Sequence, residues 1–263
     1  MRVTAMARKT DQILSGIGKI SLFTLQLFRI LFRKEVQRQA VFKQMSEVTL
    51  HSLPITAVAG IFVGGIFALQ FAAQMKGFGA DGYIGGANTS AIVRNVGPLL
   101  VAFMLAGKIG AYTTAELGTM RVTDQIDALS TLGLSPLVYL IAPRFLAILA
   151  AAILLLIFSF FISTLGGMVI CHLAAGINFY QYASKVPEIL NFWSILNGVA
   201  KSAVFGLLIA AISCYFGYTA SGGARGVGTA VNTTAVTIVV SLVVANYWVT
   251  SLIHSLAAIF GGQ

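Results

Sequence analysis

The chain has 263 residues, of which 57% are hydrophobic and only 10% are charged, and its mean hydropathy is +0.88. Soluble globular domains carry roughly 25% charged residues, so this composition excludes an ordinary water-soluble fold and favours helices that face lipid. The net charge of +9 does not indicate nucleic-acid binding, because nine of the 17 cations fall within residues 1–47, as expected for a segment that faces anionic lipid at the cytoplasmic surface.

The first predicted element is an amphipathic helix within residues 13–32. Lys19 and Arg29 interrupt its apolar run, which leaves too short a stretch for a hydrocarbon core of about 30 Å. We predict an interfacial helix on the inner leaflet, with an ordinary first transmembrane helix as the alternative. Residues 1–47 then form a basic N-terminal region, and residues 48–263 form the membrane domain. The apolar side chains near one face of this helix are Ile13, Ile17, Ile20, Leu27 and Leu31.

Five membrane-spanning helices are predicted after this region, which gives an all-α polytopic membrane protein. The first span contains Gly60, Gly64 and Gly65, a pattern of small residues that permits close helix packing. Arg94 lies inside the second span and Lys201 inside the fourth. The predicted spans are 48–75, about 87–106, 145–171, 191–218 and 226–263.

The distribution of cations predicts the orientation of these spans. The outer loops hold only Lys76 and Lys185, whereas the inner side holds the nine cations of the N-terminal region and several more. Because cytoplasmic loops carry the excess of Lys and Arg, we predict a cytoplasmic N-terminus, and the odd number of spans places the C-terminus outside. The further inner cations are Lys108, Arg121, Arg144 and Arg225.

The sequence predicts no catalytic residue, metal site or cofactor. The three histidines, His51, His172 and His254, lie in separate apolar runs without ligands at metal-binding spacing. No acid falls within the charge-free runs, which disfavours a proton- or sodium-coupled transporter. A membrane enzyme of lipid metabolism and a structural scaffold subunit are the alternatives. The glycine-rich run at 223–228 predicts a tight turn.

A polar stretch follows the second span. Thr113 and Glu116 have the spacing of a capping box, which predicts that a helix begins there. Apolar and polar residues then alternate at helical spacing until Gly133 and Pro136 end the pattern. We predict a cytoplasmic amphipathic helix at 116–132, either docked on a partner or lying on the membrane surface without one.

At these residues the sequence resembles the MlaE/YrbE-type permeases of lipid-transporting ABC systems that work with MCE-domain proteins. The resemblance covers about 57–250. It implies a permease in the bacterial inner membrane that pairs with itself, binds two copies of a cytoplasmic ATPase, meets an MCE-domain protein at the outer face and moves phospholipid or a related lipid. The blocks that carry it are 115–129, 133–136, 139–144, 60–65, Leu69-Gln70, Gly97-Pro98, Lys201-Ser202, 217–218, 222–228 and 232–234.

The resemblance assigns the helix at 116–132 to ATPase coupling. One face is expected to rest on the spans through Met120, Ile126 and Leu129, and the other is expected to present polar side chains. The coupling residues implied in this way are Glu116, Met120, Asp124, Gln125, Asp127 and Leu129.

We predict an outward-facing lipid cavity between two protomers, because one five-span bundle is too small to enclose a two-chain lipid and the glycines of the first span invite close packing. Its predicted lining is Leu69, Gln70, Arg94, Asn95 and Leu99. Many relatives carry an acid where this chain has Asn95 and another where it has Asn246, so Arg94 and Lys201 are expected to lack a partner in the chain. Arg94 is then expected to hold a lipid phosphate, with snorkelling or hydrogen bonding to backbone carbonyls as the alternative.

Overall fold

The computed structural model describes residues 2–32, 36–79, 81–189 and 192–259, and regular structure in these ranges is entirely helical. Five of the helices are long and apolar enough to cross a membrane, which confirms the all-α polytopic fold. The predicted ends of the spans at residues 191 and 263 lie outside the described residues. In chain order the helices are α1 (Arg2–Phe32), α2 (Arg38–Lys76), α3 (Ile84–Val122), α4 (Gln125–Thr131), α5 (Leu137–Ala175), α6 (Phe179–Ser184), α7 (Val186–Ile189), α8 (Phe192–Tyr218) and α9 (Gly223–Ile259), with α2, α3, α5, α8 and α9 as the spans.

Helix α1 packs against the ends of α8 and α5. Leu27 is fully buried, and the ring of Phe23 meets that of Tyr215 edge-on at 5.7 Å between centroids. Ile20, Leu27 and Leu31 of the predicted apolar face pack against the core, whereas Ile17 is 57% exposed. The side chain of Ile13 lies outside the described part. Phe23 and Phe28 join the predicted apolar residues on this packed face.

Helix α3 continues without a break through the polar stretch that was predicted to follow the second span. Two π-helical segments, Ile92–Val96 and Ala106–Gly110, lie within it. The predicted capping box is therefore wrong, because the amides near Thr113 are already bonded inside the helix. Thr114 instead places its hydroxyl 3.2 Å from the carbonyl oxygen of Ser213 and 3.1 Å from the hydroxyl of Thr234.

Helices α2 and α5 pack with their backbones in close approach. A Cβ at Gly64 would collide with the carbonyl of Ser163, and one at Gly166 would lie 2.6 Å from the Cα of Ile61. The predicted close packing of the span-one glycines is confirmed. Since this packing occurs within one protomer, these glycines do not support the expectation that they draw two protomers together.

Residues with positive φ define two reversals at one end of the bundle. Gly222 and Gly223 (φ 90° and 68°) turn the chain from α8 into α9, and the glycine-rich run at 223–228 forms the first turns of α9 rather than the predicted turn. Asp124 (φ 56°) separates α3 from α4, so the single helix predicted at 116–132 is two helices. Gly133 (φ 78°) ends the segment as predicted.

Candidate functional site

A buried lysine lies where α8 crosses α3. Lys201 is 0% exposed, and its Nζ donates to Oδ1 of Asn95 at 2.6 Å and to the carbonyl oxygen of Arg94 at 2.8 Å. That carbonyl is available because Pro98, four residues later, has no N–H to donate to it. Gly198 permits the crossing, since a Cβ there would lie 2.8 Å from the carbonyl oxygen of Val93.

Arg94 projects from the same π-helical segment and is exposed at the surface of the protomer. Its Nε donates to Oγ of Ser194 at 2.9 Å, and no other hydrogen bond of the guanidinium falls within the described residues. The expectation that Arg94 and Lys201 lack partners in the chain is therefore wrong. Pro98 was the one local signal for the Lys201 contact, whereas the Ser194 contact joins residues 100 positions apart.

The structure does not bring Gln70 close to Arg94 within one protomer. Nδ2 of Asn88 donates to the carbonyl oxygen of Gly64 at 3.3 Å, which sets these two positions at one level. Arg94 lies six residues from Asn88 in one direction, and Gln70 lies six residues from Gly64 in the other. At 1.5 Å per residue, Arg94 and Gln70 are about 18 Å apart along the bundle.

Leu69 and Leu99, the other two predicted lipid residues, differ from each other in how far they are exposed. Leu69, beside Gln70 on α2, is 38% exposed. Leu99 is half-buried and packs against the main apolar core. Among the five predicted lipid residues, Arg94 and Asn95 thus share one site in this protomer.

The segment predicted to couple to an ATPase is fastened to the spans by an ion pair. Glu116, on the last turns of α3, pairs with Arg144 near the start of α5 at 2.5 Å. Ile126 of α4 is 1% exposed, whereas Asp124 and Gln125 are exposed. Glu116 therefore holds this segment to the bundle.

Asp127 has a partner that the sequence pattern did not reveal. It forms an exposed ion pair with Arg121 across the turn at Asp124, and the guanidinium of Arg121 lies 6.0 Å from the ring centre of Tyr218. Met120 and Leu129 are half-buried. The turn between α3 and α4 thus carries acids on its exposed side and apolar residues toward the bundle.

A second polar cluster, absent from the predictions, closes the opposite end of the bundle. Nδ2 of Asn88 donates to the hydroxyl oxygen of Tyr182 at 2.6 Å, and Tyr182 is 1% exposed. Burial raises the pKa of Tyr182 to about 12. Gly167 leaves room for this contact, because a Cβ there would lie 2.6 Å from the hydroxyl oxygen of Tyr182.

Comparison with known proteins decides the family. Residues 41–252 match the family model described as Permease MlaE. The chain belongs to the MlaE permease family. This result confirms the family predicted from the sequence, and it identifies this MlaE-family chain as a multi-pass transport subunit of the ABC permease type rather than an enzyme.

Several MlaE-like relatives cover most of the chain. A probable ABC transporter permease protein of Rickettsia bellii is 32% identical over 94% of this chain and 96% of its own length. A probable ABC transporter permease protein of Synechocystis is 34% identical over 87% of each chain. The chloroplastic protein TRIGALACTOSYLDIACYLGLYCEROL 1 of Arabidopsis thaliana is 31% identical over 86% of this chain and 64% of its own length.

Proposed function

We propose that this permease is the membrane-spanning subunit of an ATP-driven transporter that moves phospholipid or a related lipid between a bacterial inner membrane and an MCE-domain partner. It works as a homodimer and takes its energy from a separate cytoplasmic ATPase subunit. The two alternatives are a membrane-embedded enzyme of lipid metabolism and a scaffold subunit that transports nothing.

The observation that carries this proposal is the exposed guanidinium of Arg94 at membrane depth. A cation inside a span is expensive unless it is paired, so an exposed one has a functional use by default. Ser194 holds Nε, which leaves the two Nη groups for the bidentate contact that a phosphate accepts. The buried ammonium of Lys201 adds positive charge behind Asn95, and together these groups favour an anionic head group.

Two further facts support a lipid and an ATPase. The Arabidopsis thaliana relative carries the name of a galactolipid. The ion pair of Glu116 with Arg144 holds the turn between α3 and α4 to the spans, and this turn exposes Asp124 and Gln125. A rigidly held polar turn of this kind can pass a displacement of the ATPase to α3 and α5.

The test is lipid movement in vesicles that contain the permease co-expressed with its ATPase and MCE-domain partners. We expect movement of a labelled phospholipid that requires ATP. Arg94→Gln should slow this movement and reduce co-purified phospholipid at normal expression. Ser194→Ala is the matched control, because it removes the one described bond of the guanidinium and keeps its charge, so transport should persist.

Other outcomes would favour the alternatives. Covalent change of the labelled lipid, seen by mass spectrometry, would support the enzyme. Absence of ATP-dependent movement in an intact complex would support the scaffold. If Arg94→Gln carries the same amount and type of lipid as the native chain, the role of Arg94 is wrong.

A further inference from the structure

A cavity of about 530 Å³, here called the inner cavity, lies between α2, α3 and α5. It is separate from the Arg94 site, because Lys108 in its wall is fourteen residues from Arg94 on α3, or about 21 Å along the helix. Glu47 of α2 and Lys108 of α3 face it from opposite walls, and Ile148 of α5 contributes an apolar surface.

The positions of these side chains along the axis of the bundle follow from one contact. Lys108 donates through Nζ to the carbonyl oxygen of His51, so these residues lie at one level. This carbonyl lies three residues before Pro54, which lies inside α2. Because α2 and α3 are antiparallel, Glu47 and Tyr112 lie about one turn farther toward the start of α2.

The polar groups of the inner cavity are of two kinds. Lys108 supplies donors at the level of His51, and Tyr112 supplies a hydroxyl one turn farther toward the start of α2, at the level of Glu47. Glu47 makes no ion pair among the described residues.

Gln44, a further turn along α2, also faces the cavity, and its Oε1 is buried without a hydrogen-bond partner in the described structure. Since that oxygen is closed off from the cavity, Gln44 forms part of the cavity wall.

The remaining charges around the cavity leave this arrangement unchanged. Arg144 is neutralised by Glu116, and Lys43 lies one turn beyond Glu47 toward the start of α2. His51 uses its Nδ1 on the carbonyl oxygen of Glu47 at 2.8 Å. The cavity therefore presents a cation at the level of His51 and, one turn farther toward the start of α2, a carboxylate with a hydroxyl.

We propose that the inner cavity binds the head group of a phospholipid that carries a primary amine, such as phosphoethanolamine. Its phosphodiester contacts Lys108, its ammonium donates to Glu47, and its acyl chains extend from the Lys108 end of the cavity toward the middle of the spans. In such a lipid the phosphodiester lies between the acyl chains and the amine, and Lys108 lies between the middle of the spans and Glu47 in the same way. This proposal rests on the proposed function, in which the start of α2 lies on the cytoplasmic side. It adds a second lipid site on that side of the bundle.

The test is lipid retention by the full-length permease in detergent, without ATPase, after exchange against equal parts of phosphatidylethanolamine, phosphatidylcholine and phosphatidylglycerol. The choline head group has no N–H to donate, so the native chain should enrich phosphatidylethanolamine over phosphatidylcholine. Glu47→Gln should lower this ratio about tenfold, as expected for loss of one hydrogen bond between charged groups. Arg38→Gln, a change at the start of α2 outside the cavity, should leave the ratio unchanged.

A second variant distinguishes a specific loss of amine recognition from a general loss of folded protein. Lys108→Gln should lower retention of all three lipids, whereas Glu47→Gln should lower only the ratio. Displacement of lipid by inorganic phosphate alone would show a free-anion site and overturn the proposal. Equal retention of the three lipids by the native chain would also overturn it, as would an unchanged ratio in Glu47→Gln. Since no ATP is present, failure of lipid transport would leave this measurement unaffected.

Discussion

The ammonium of Lys201 and the amide oxygen of Asn95 are 2.6 Å apart in a chain whose relatives were expected to carry an acid at residue 95. The amide keeps an acceptor for the lysine but supplies no negative charge. A fully buried lysine therefore depends on two neutral oxygens, that of Asn95 and the carbonyl oxygen of Arg94. This arrangement ties α8 to the π-helical segment of α3.

Replacing Asn95 should expose this dependence. Asn95→Leu leaves the Lys201 ammonium with one acceptor, and we expect a loss of about 2 kcal/mol, the usual range for a hydrogen bond to a charged group. Lys201→Met should have a smaller effect because it also removes the buried charge. The double variant should resemble Lys201→Met alone in thermal unfolding in detergent. Simple addition of the two single effects would contradict a direct contact.

The approach of α2 to α5 predicts opposite effects of two alanine substitutions. Gly64→Ala drives a methyl group into the backbone of Ser163, and overpacking of this kind costs about 1–3 kcal/mol. Gly107→Ala, on α3, meets nothing within 4 Å and should be neutral or stabilising. Thermal unfolding of the two variants checks this, and equal destabilisation would show that the helix approach is looser than described.

The number of spans could be predicted from the sequence because hydrophobic length is a local property. The end of the second span could not, because α3 continues through residues that look polar in isolation. The hydroxyl of Thr114 lies 2.9 Å from the carbonyl oxygen of Gly110 in its own helix, and it also meets Ser213 and Thr234, which lie about a hundred positions away in the chain. Local pattern therefore predicted a helix start where tertiary contacts extend the helix.

In the candidate site, too, the features with a local sequence signal could be predicted and those that depend on contacts between helices could not. The depth of Arg94 followed from its position within an apolar run. Its bond to Ser194 depends on the crossing of two helices and has no local signal. For Lys201, Pro98 did mark a carbonyl without its usual donor, and a lysine in another span is a suitable donor for it.

The ion pair between Arg121 and Asp127 changes how the coupling role is tested. Both partners are exposed, so the pair contributes at most about 1 kcal/mol, and Asp127→Arg should leave the fold intact. We expect this variant to weaken co-purification of the ATPase, because reversing a charge at an interface opposes association. The exchanged pair Arg121→Asp with Asp127→Arg should weaken it as well. Full recovery in the exchanged pair would show that the pair only shapes the turn.

Tyr182 predicts a loss of stability in alkali. Its pKa rises from 10.0 to about 12 because the ring is buried, so the folded state favours the neutral phenol. This contribution to stability is fully present below pH 10 and is lost as the pH rises toward 12. Tyr182→Phe should flatten the fall of stability over this range and should cost about 1 kcal/mol at neutral pH through the lost Asn88 bond. Tyr180→Phe, 81% exposed on the same helix, is the control. An unchanged alkaline profile in Tyr182→Phe would contradict the assignment.

Five crossings predict that the two termini lie on opposite sides of the membrane, with the N-terminus in the cytoplasm. A membrane-impermeant thiol reagent applied to intact cells should label Gln263→Cys, at a position outside the described residues, and should not label Ala5→Cys. The background chain lacks Cys171 and Cys214, which are both buried. Asp124→Cys, exposed in the turn after α3, should behave like Ala5→Cys and become labelled only after the membrane is permeabilised, since α3 ends on the side where α2 begins. Labelling of Ala5→Cys with protection of Gln263→Cys would reverse the orientation, and labelling of both would require an even number of crossings.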